Sequence, residues 1–383
     1  MGHPQVAAEG AREPMPRYVI HIGPHKTGTT YLQASFRDLR TKLVERGIMH
    51  PAPWLGGGVS QEVLFRRLRS APDGLEQEFG VLNSSDYKVI LISSEDLSDL
   101  KEQEIAWLKR LVGECSVEIV FYCRRWSELM LSGWREMVKH GFIGTFPELF
   151  AAHVSNPFVS HVINFQIKLD KFTKAFGEES IRLVPYNYLV DNKIDLFKHF
   201  AACFLDWPDA PLSPAGRPNQ SVSALDAEMI RVLRVLEWAL HRDRSPDLFG
   251  SYQRKKLSLD TENVFASMEA DLQAITAAED APGFRLLHES LFEQYGSRLV
   301  KPHLDRMLFV PKRVQLPFVG QNYLLVSGAT EALNRIYTEL GNRPVDVSPP
   351  NEIRSPSAPP SRGDGEADLG LEVWDPKSET ATD

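Results

Sequence analysis

Short apolar runs, each followed by an amphipathic stretch, recur four times in the first two hundred residues. "YVIHIG" (18–23) reads as a buried strand, and "TTYLQASFRDLRTKLVERG" after it spaces Leu32, Phe36, Leu39 and Leu43 as one face of a helix. "YKVILIS" (87–93) is a second strand, which passes through "SSED" into "LSDLKEQEIAWLKRLVG", a helix with Ser93 as its predicted N-cap. "VEIVFYC" (117–123) runs into the helical "RRWSELMLSGWREMVKHG", and "IRLVPYNYL" (181–189) into "KIDLFKHFAACFL". Strands alternating with helices predict an α/β fold, a three-layer sandwich whose mostly parallel central sheet carries helices on both faces. In such sheets ligands bind at the carboxyl ends of the strands, near a reversal of strand order.

The C-terminal half has a different rhythm. From about 221 to 308 the spacing is mainly helical, as in "SVSALDAEMIRVLRVLEWALHR" and "FRLLHESLFEQYGSRLV", so additional helices are expected there. No internal repeat is seen. "PAPWLGGGVS" (51–60) has the turn formers of an exposed loop, and its glycine triplet follows no strand, which argues against a phosphate cradle. After about 343 the chain is rich in Pro and Ser with few large apolar residues, the composition of a disordered segment, and its "LGLEVW" reads as an unstructured remnant. The expected organisation is a flexible N-terminus at 1–16, one domain at 17–345 and a disordered acidic tail at 346–383.

The first strand-to-helix junction, "GPHKTGTT", carries the candidate chemistry. Glycines between a strand and a helix expose backbone N–H groups, and the helix N-terminus adds partial positive charge, so phosphate or sulfate is the natural guest. Gly23 and Gly28 have the separation of the nucleoside-triphosphate loop G-x-x-x-x-G-K-[ST], but Thr29 stands where that loop has its lysine and the lysine has moved forward to Lys26. What remains is a cradle of hydroxyls from Thr27, Thr29 and Thr30 with one cation at its lip.

This arrangement resembles the 5'-phosphosulfate-binding loop of the sulfotransferases that use 3'-phosphoadenosine 5'-phosphosulfate (PAPS). That loop reads approximately P-K-[ST]-G-[ST]-[ST], and "HKTGTT" matches it from Lys26 onward, with His25 in place of the proline and Pro24 one position earlier. The family's second landmark is an arginine leaving a strand and a serine eight residues on, both directed at the donor's 3'-phosphate. Arg124 and Ser132 in "VEIVFYCRRWSELMLSGW" have that layout, two helical turns apart. Arginine suits the task because its planar donors grip a phosphate in two places. Arg125 is read as facing solvent. "FTKAFGEESIRLVPYNYLVDNKIDLFKHFAACFL" (172–205) and "GRPNQSVSALD" (216–226) are weaker echoes, with Arg217 a candidate third contact to the 3'-phosphate or an ordinary loop arginine.

The resemblance implies a P-loop sulfotransferase fold over about 17–345 and transfer of a sulfuryl group from PAPS to an acceptor hydroxyl, on a carbohydrate or a small metabolite. Lys26 would stabilise the leaving phosphate, the threonines would hold the 5'-phosphate, and no metal is implied. Glu95, at the second strand's carboxyl end, is the candidate base, as glutamate is in some members of the family. The same residues allow a second reading, a capping box of Ser93 with Asp96 in which Glu95 only favours the helix dipole. His25 and His21 are alternative bases, while His140 is expected to face solvent near a helix end. A divergent P-loop kinase and a non-catalytic nucleotide-binding scaffold are the competing functions. Acceptor specificity is assigned to loops such as 51–80 and 141–165, where core packing explains Trp54, Phe142, Phe146 and Phe158 as well as a pocket would.

Composition narrows the partners. The 383 residues carry a net charge of −8, of which nine acids against three bases place −6 after residue 345 and leave the body near neutral at −2. No broad basic face for a nucleic acid is present, and the acidic tail is the expected place for a protein contact. The N-terminal stretch shows neither a leader pattern nor a spanning run, and the three cysteines, Cys115, Cys123 and Cys203, have no metal-ligand spacing. A cytoplasmic protein with reduced thiols is expected.

Overall fold

The computed structural model describes residues 15–70, 73–213, 222–239, 247–256, 259, 272–278, 282–300, 313–319 and 329–341. The N-terminal stretch before Met15, the acidic tail, its "LGLEVW" and Arg217 lie outside the described residues. The chain divides into two compact units, one of 1–124, 168–218 and 292–309, the other of 125–167, 219–291 and 310–383. Among the described residues no helix is long and apolar enough to cross a membrane.

The first unit holds a five-stranded sheet of β1 (Arg17–His21), β2 (Ile48–Met49), β3 (Val89–Ser93), β4 (Val117–Cys123) and β5 (Ile181–Pro185) in the order β2-β3-β1-β4-β5. Every pairing is parallel. A parallel sheet is covered on both faces, so its strands read as continuous apolar runs rather than alternations; all five residues of β3 are buried. Val19, Val89, Leu91, Val120, Tyr122 and Val184 turn to one face and pack against Leu32, Phe36, Leu43, Phe197 and Phe200. These come from α1 (Thr29–Asp38), α2 (Arg40–Glu45) and α10 (Leu196–Phe204). On the other face Tyr18 stacks on Phe79 of α4 (Leu75–Asn83), and its hydroxyl donates to Asn83 Oδ1 at 2.6 Å. The α/β architecture, a parallel sheet flanked by helices, is therefore the one its periodicity predicts.

Local differences have local causes. The first predicted helix is broken at Leu39, which closes α1 and opens α2 with a non-helical backbone. The strand expected at 181–189 stops at Pro185, whose ring nitrogen cannot donate, and Tyr186–Asp191 turn into the helix α9. After β3 the chain forms a short 3-10 helix, Glu95–Asp99, before α5 (Glu102–Val112). Ser93 is therefore no N-cap. It ends β3, and its hydroxyl meets His21 Nδ1 at 2.9 Å, while Ser94 takes the flanking position.

The second unit contains α6 (Trp126–Lys139), α7 (Phe146–Val154), α11 (Ala224–Ala239), α12 (Leu248–Lys255) and a helix at Ala329–Glu339. It also holds an antiparallel ribbon of β6 (Leu272–Ala278) and β7 (Arg313–Val319), so the mainly helical expectation for 221–308 misses a strand. Buried ion pairs are concentrated on α11: Arg231 with Glu228 at 2.7 Å and Arg234 with Glu237 at 2.7 Å. Arg231 also donates to the carbonyls of Ile143 and Val319, at 3.3 and 2.8 Å.

Candidate functional site

β1 is the middle strand of the sheet, and the chain leaves it on one side to build β2 and β3 before crossing to β4 and β5 on the other. The carboxyl end of β1 is therefore the reversal point where ligands bind such sheets. The loop at 23–30 sits there, anchored on both sides: Tyr122 N donates to Gly23 O at 2.9 Å, and Ser94 N donates to His21 O at 3.1 Å.

Within the loop, Gly23, Lys26 and Gly28 all adopt positive φ, at 93°, 66° and 77°. Gly28 is the N-cap of α1, and no side chain caps that helix. Glycine is favoured at the position, because its backbone is left-handed and a Cβ there would lie 2.6 Å from Leu196 Cδ2. The dipole of α1 favours an anion beside this start.

The hydroxyls are divided. Thr27 is buried and donates to Pro24 O at 2.6 Å, which closes the loop on itself. Thr29 donates to Glu95 Oε1 at 3.2 Å, and Thr30 is exposed. The hydroxyl protons of Thr27 and Thr29 are thereby committed within the protein, whereas Thr30 is open to solvent.

Glu95 leaves β3 and turns its carboxylate over the start of α1. Besides Thr29 it accepts from Gln33 Nε2 at 2.5 Å, and His25 Nδ1 lies 3.8 Å from its Oε1. The other ring nitrogen of His25 is 3.5 Å from Asp96 Oδ1, so the imidazole stands between two carboxylates. Burial pushes the Glu95 carboxyl upward, but His25, the backbone, Gln33 and His21 together outweigh it and hold the group below the usual carboxylate range. Asp96 moves the other way, raised chiefly by burial. His21 is fully buried, and desolvation pushes its imidazole down to about 4. Glu95 is therefore an ionised acceptor at neutral pH, and His21 is neutral there.

Arg124 leaves β4 and reaches back to the loop, where its Nη1 donates to the Lys26 carbonyl. Its guanidinium lies over the Tyr186 ring, 5.3 Å from the centroid, a position that favours a cation on an aromatic face. Lys26, Glu95 and Arg124, which lie on three different junctions in the sequence, thus gather around one loop. Ser132 belongs to α6 of the second unit and is half-buried. Arg125 does not face solvent: it is 2% exposed and paired with Glu128 at 2.9 Å. His140 closes α6, exposed and 3.4 Å from Glu136. Trp54 is core, stacked on Phe79 with its Nε1 donating to Glu78.

Gln33 and Tyr186 are absent from the sequence reading, and Asp96 enters it only as a capping-box partner. Gln33 shares a helical face with Thr29, four residues before it, and that spacing was the available signal for a second donor to Glu95. Asp96 and Tyr186 carry no such signal, because their relation to the site is made by the sheet.

No protein-family model matches the chain, and no curated protein matches it in sequence. A solved structure that it resembles is a sulfotransferase from Alicyclobacillus acidocaldarius, at 14% identity and a TM-score of 0.35, with 60% of this chain and 97% of that one covered.

Proposed function

We propose that the chain is a sulfotransferase that moves a sulfuryl group from PAPS to an acceptor hydroxyl on a carbohydrate or small metabolite. The observation that carries the reading is the convergence of Lys26, Glu95 and Arg124 on the loop at 23–30, at the carboxyl end of the central strand. The uncapped start of α1, the left-handed turns at Lys26 and Gly28 and the exposed Thr30 suit the 5'-phosphate end of such a donor. Arg124, held against the loop and backed by Tyr186, has the fork that would grip a second phosphate, with Ser132 as its partner by sequence spacing.

The bound donor supplies an activated sulfuryl group on a phosphate leaving group. Lys26 stabilises the negative charge left on the phosphate oxygen. Glu95, ionised and oriented by Thr29 and Gln33, takes the acceptor's proton, and His25 beside it steadies the carboxylate. A carboxylate already hydrogen-bonded by two neighbours is a weaker base, but its geometry is fixed before the acceptor arrives, which is the larger contribution to transfer.

The test is calorimetric binding of 3'-phosphoadenosine 5'-phosphate against ADP, on wild type, Lys26→Ala and Arg124→Ala. Selective binding of the 3'-phosphorylated nucleotide, lost in Lys26→Ala and reduced to the ADP level in Arg124→Ala, supports the reading. Equal binding of ADP, or binding of neither nucleotide, removes it and returns the loop to the kinase or scaffold alternatives.

A further inference from the structure

Arg124 is held from two sides within the first unit, and the two holds differ in kind. Its Nη1 donates to the Lys26 carbonyl, and its guanidinium lies over the Tyr186 ring, 5.3 Å from the centroid. The ring is there for a backbone reason: β5 stops at Pro185, and Tyr186 is the first residue of α9. It is half-buried, packed against the apolar cluster that α1 and α10 form on the sheet. A Cβ built on Gly28 would lie 3.7 Å from Tyr186 Cε2 and 3.8 Å from its hydroxyl oxygen, so the edge of the ring borders the loop while its face carries the arginine.

Arginine is a long side chain with its N–H donors in one plane, and its affinity for a phosphate depends on how much freedom it gives up in presenting that plane. The Lys26 carbonyl fixes one corner of the fork and leaves rotation about that bond. An aromatic face attracts the cation through its negative quadrupole and consumes no N–H, so it steadies the guanidinium at no cost in donors. The attraction belongs to the ring and not to the hydroxyl.

From this arrangement we infer that Tyr186 is a positioning residue that acts through Arg124 to set how strongly the site prefers a nucleotide with a 3'-phosphate over one without it. The inference rests on the reading of Arg124, under the proposed function, as the grip on the donor's second phosphate. Because the ring touches the guanidinium, its removal changes the ratio of two affinities rather than binding as a whole.

The experiment measures calorimetric binding of 3'-phosphoadenosine 5'-phosphate and of ADP to the full chain as wild type, Tyr186→Phe, Tyr186→Leu and Tyr186→trifluorophenylalanine. The fluorinated ring keeps the shape of phenylalanine and lacks the negative face, so it decides the matter even where the leucine variant fails to fold. Wild type and Tyr186→Phe are expected to share one preference for the 3'-phosphorylated nucleotide. The fluorinated and leucine variants are expected to lose about fivefold or more of it, with ADP affinity unchanged. The proposal alone is overturned if wild type shows the preference and the fluorinated variant keeps it, if Tyr186→Phe loses as much as the fluorinated variant, or if ADP affinity falls in step. A wild type that binds both nucleotides equally, or neither, removes the sulfuryl-transfer reading and this inference with it.

Discussion

Gly23 passes so close to Glu95 that a Cβ built on the glycine would lie 3.0 Å from the glutamate's own Cβ. The loop and the end of β3 therefore share one small space, and the absence of a side chain at residue 23 lets the Glu95 carboxylate lie over α1.

Gly23→Ala should accordingly do two things at once. Its φ of 93° is disfavoured for any residue with a Cβ, at a cost of about 1–2 kcal/mol, and the new methyl would push Glu95 off Thr29 and Gln33. Urea unfolding should show the loss of stability, and nucleotide binding should weaken with it. Unchanged stability would mean that the loop relaxes around the methyl, contrary to the packing described.

Lys26 lies in the same left-handed region, at φ 66°, without being glycine. Such strain persists where a side chain is needed for function. Lys26→Gly is expected to keep or raise stability, by up to about 1 kcal/mol, while abolishing nucleotide binding. A variant that loses stability would show that the lysine is held for packing instead.

The buried histidine sets an acid limit. The unfolded chain protonates His21 near the ordinary value of about 6.5, whereas the folded protein resists until about 4. The unfolded state thus binds more protons across that window, and stability must fall as pH drops through it. His21→Gln should lose less stability than wild type between pH 6.5 and pH 4, by on the order of 3 kcal/mol. Superimposable pH curves from chemical unfolding would contradict the assignment.

In the second unit, Glu228 is fully buried against Arg231. Arg231→Met strands that carboxylate and should cost about 3–5 kcal/mol. Adding Glu228→Gln should recover part of the loss, because the uncompensated charge is then gone. Additive losses in thermal unfolding would place the stabilisation in the Arg231 bonds to Ile143 and Val319 instead.

The sheet was legible because a strand covered on both faces needs an unbroken apolar run, and "VILIS" and "VEIVFYC" state that directly. The anion loop was legible for a similar reason, since glycines between strand and helix have a short-range cause. The ribbon of β6 and β7 was not, because its pairing joins segments about forty residues apart and neither shows a strand signal strong enough to override the helical spacing around it.

The amino-acid sequence by itself determined four strands of the central sheet with the helices that follow them and the glycine loop at 23–30, through local periodicity and spacing, while Lys26, Glu95 and Arg124 were marked by the resemblance of their motifs to the sulfotransferases. Only the tertiary structure decided what those residues touch. Thr29 and Gln33 meet Glu95 across 66 and 62 residues of chain, and Arg124 meets the Lys26 carbonyl across 98. Such contacts are set by which strands lie side by side, a cooperative outcome of packing the whole sheet that no local window of residues contains.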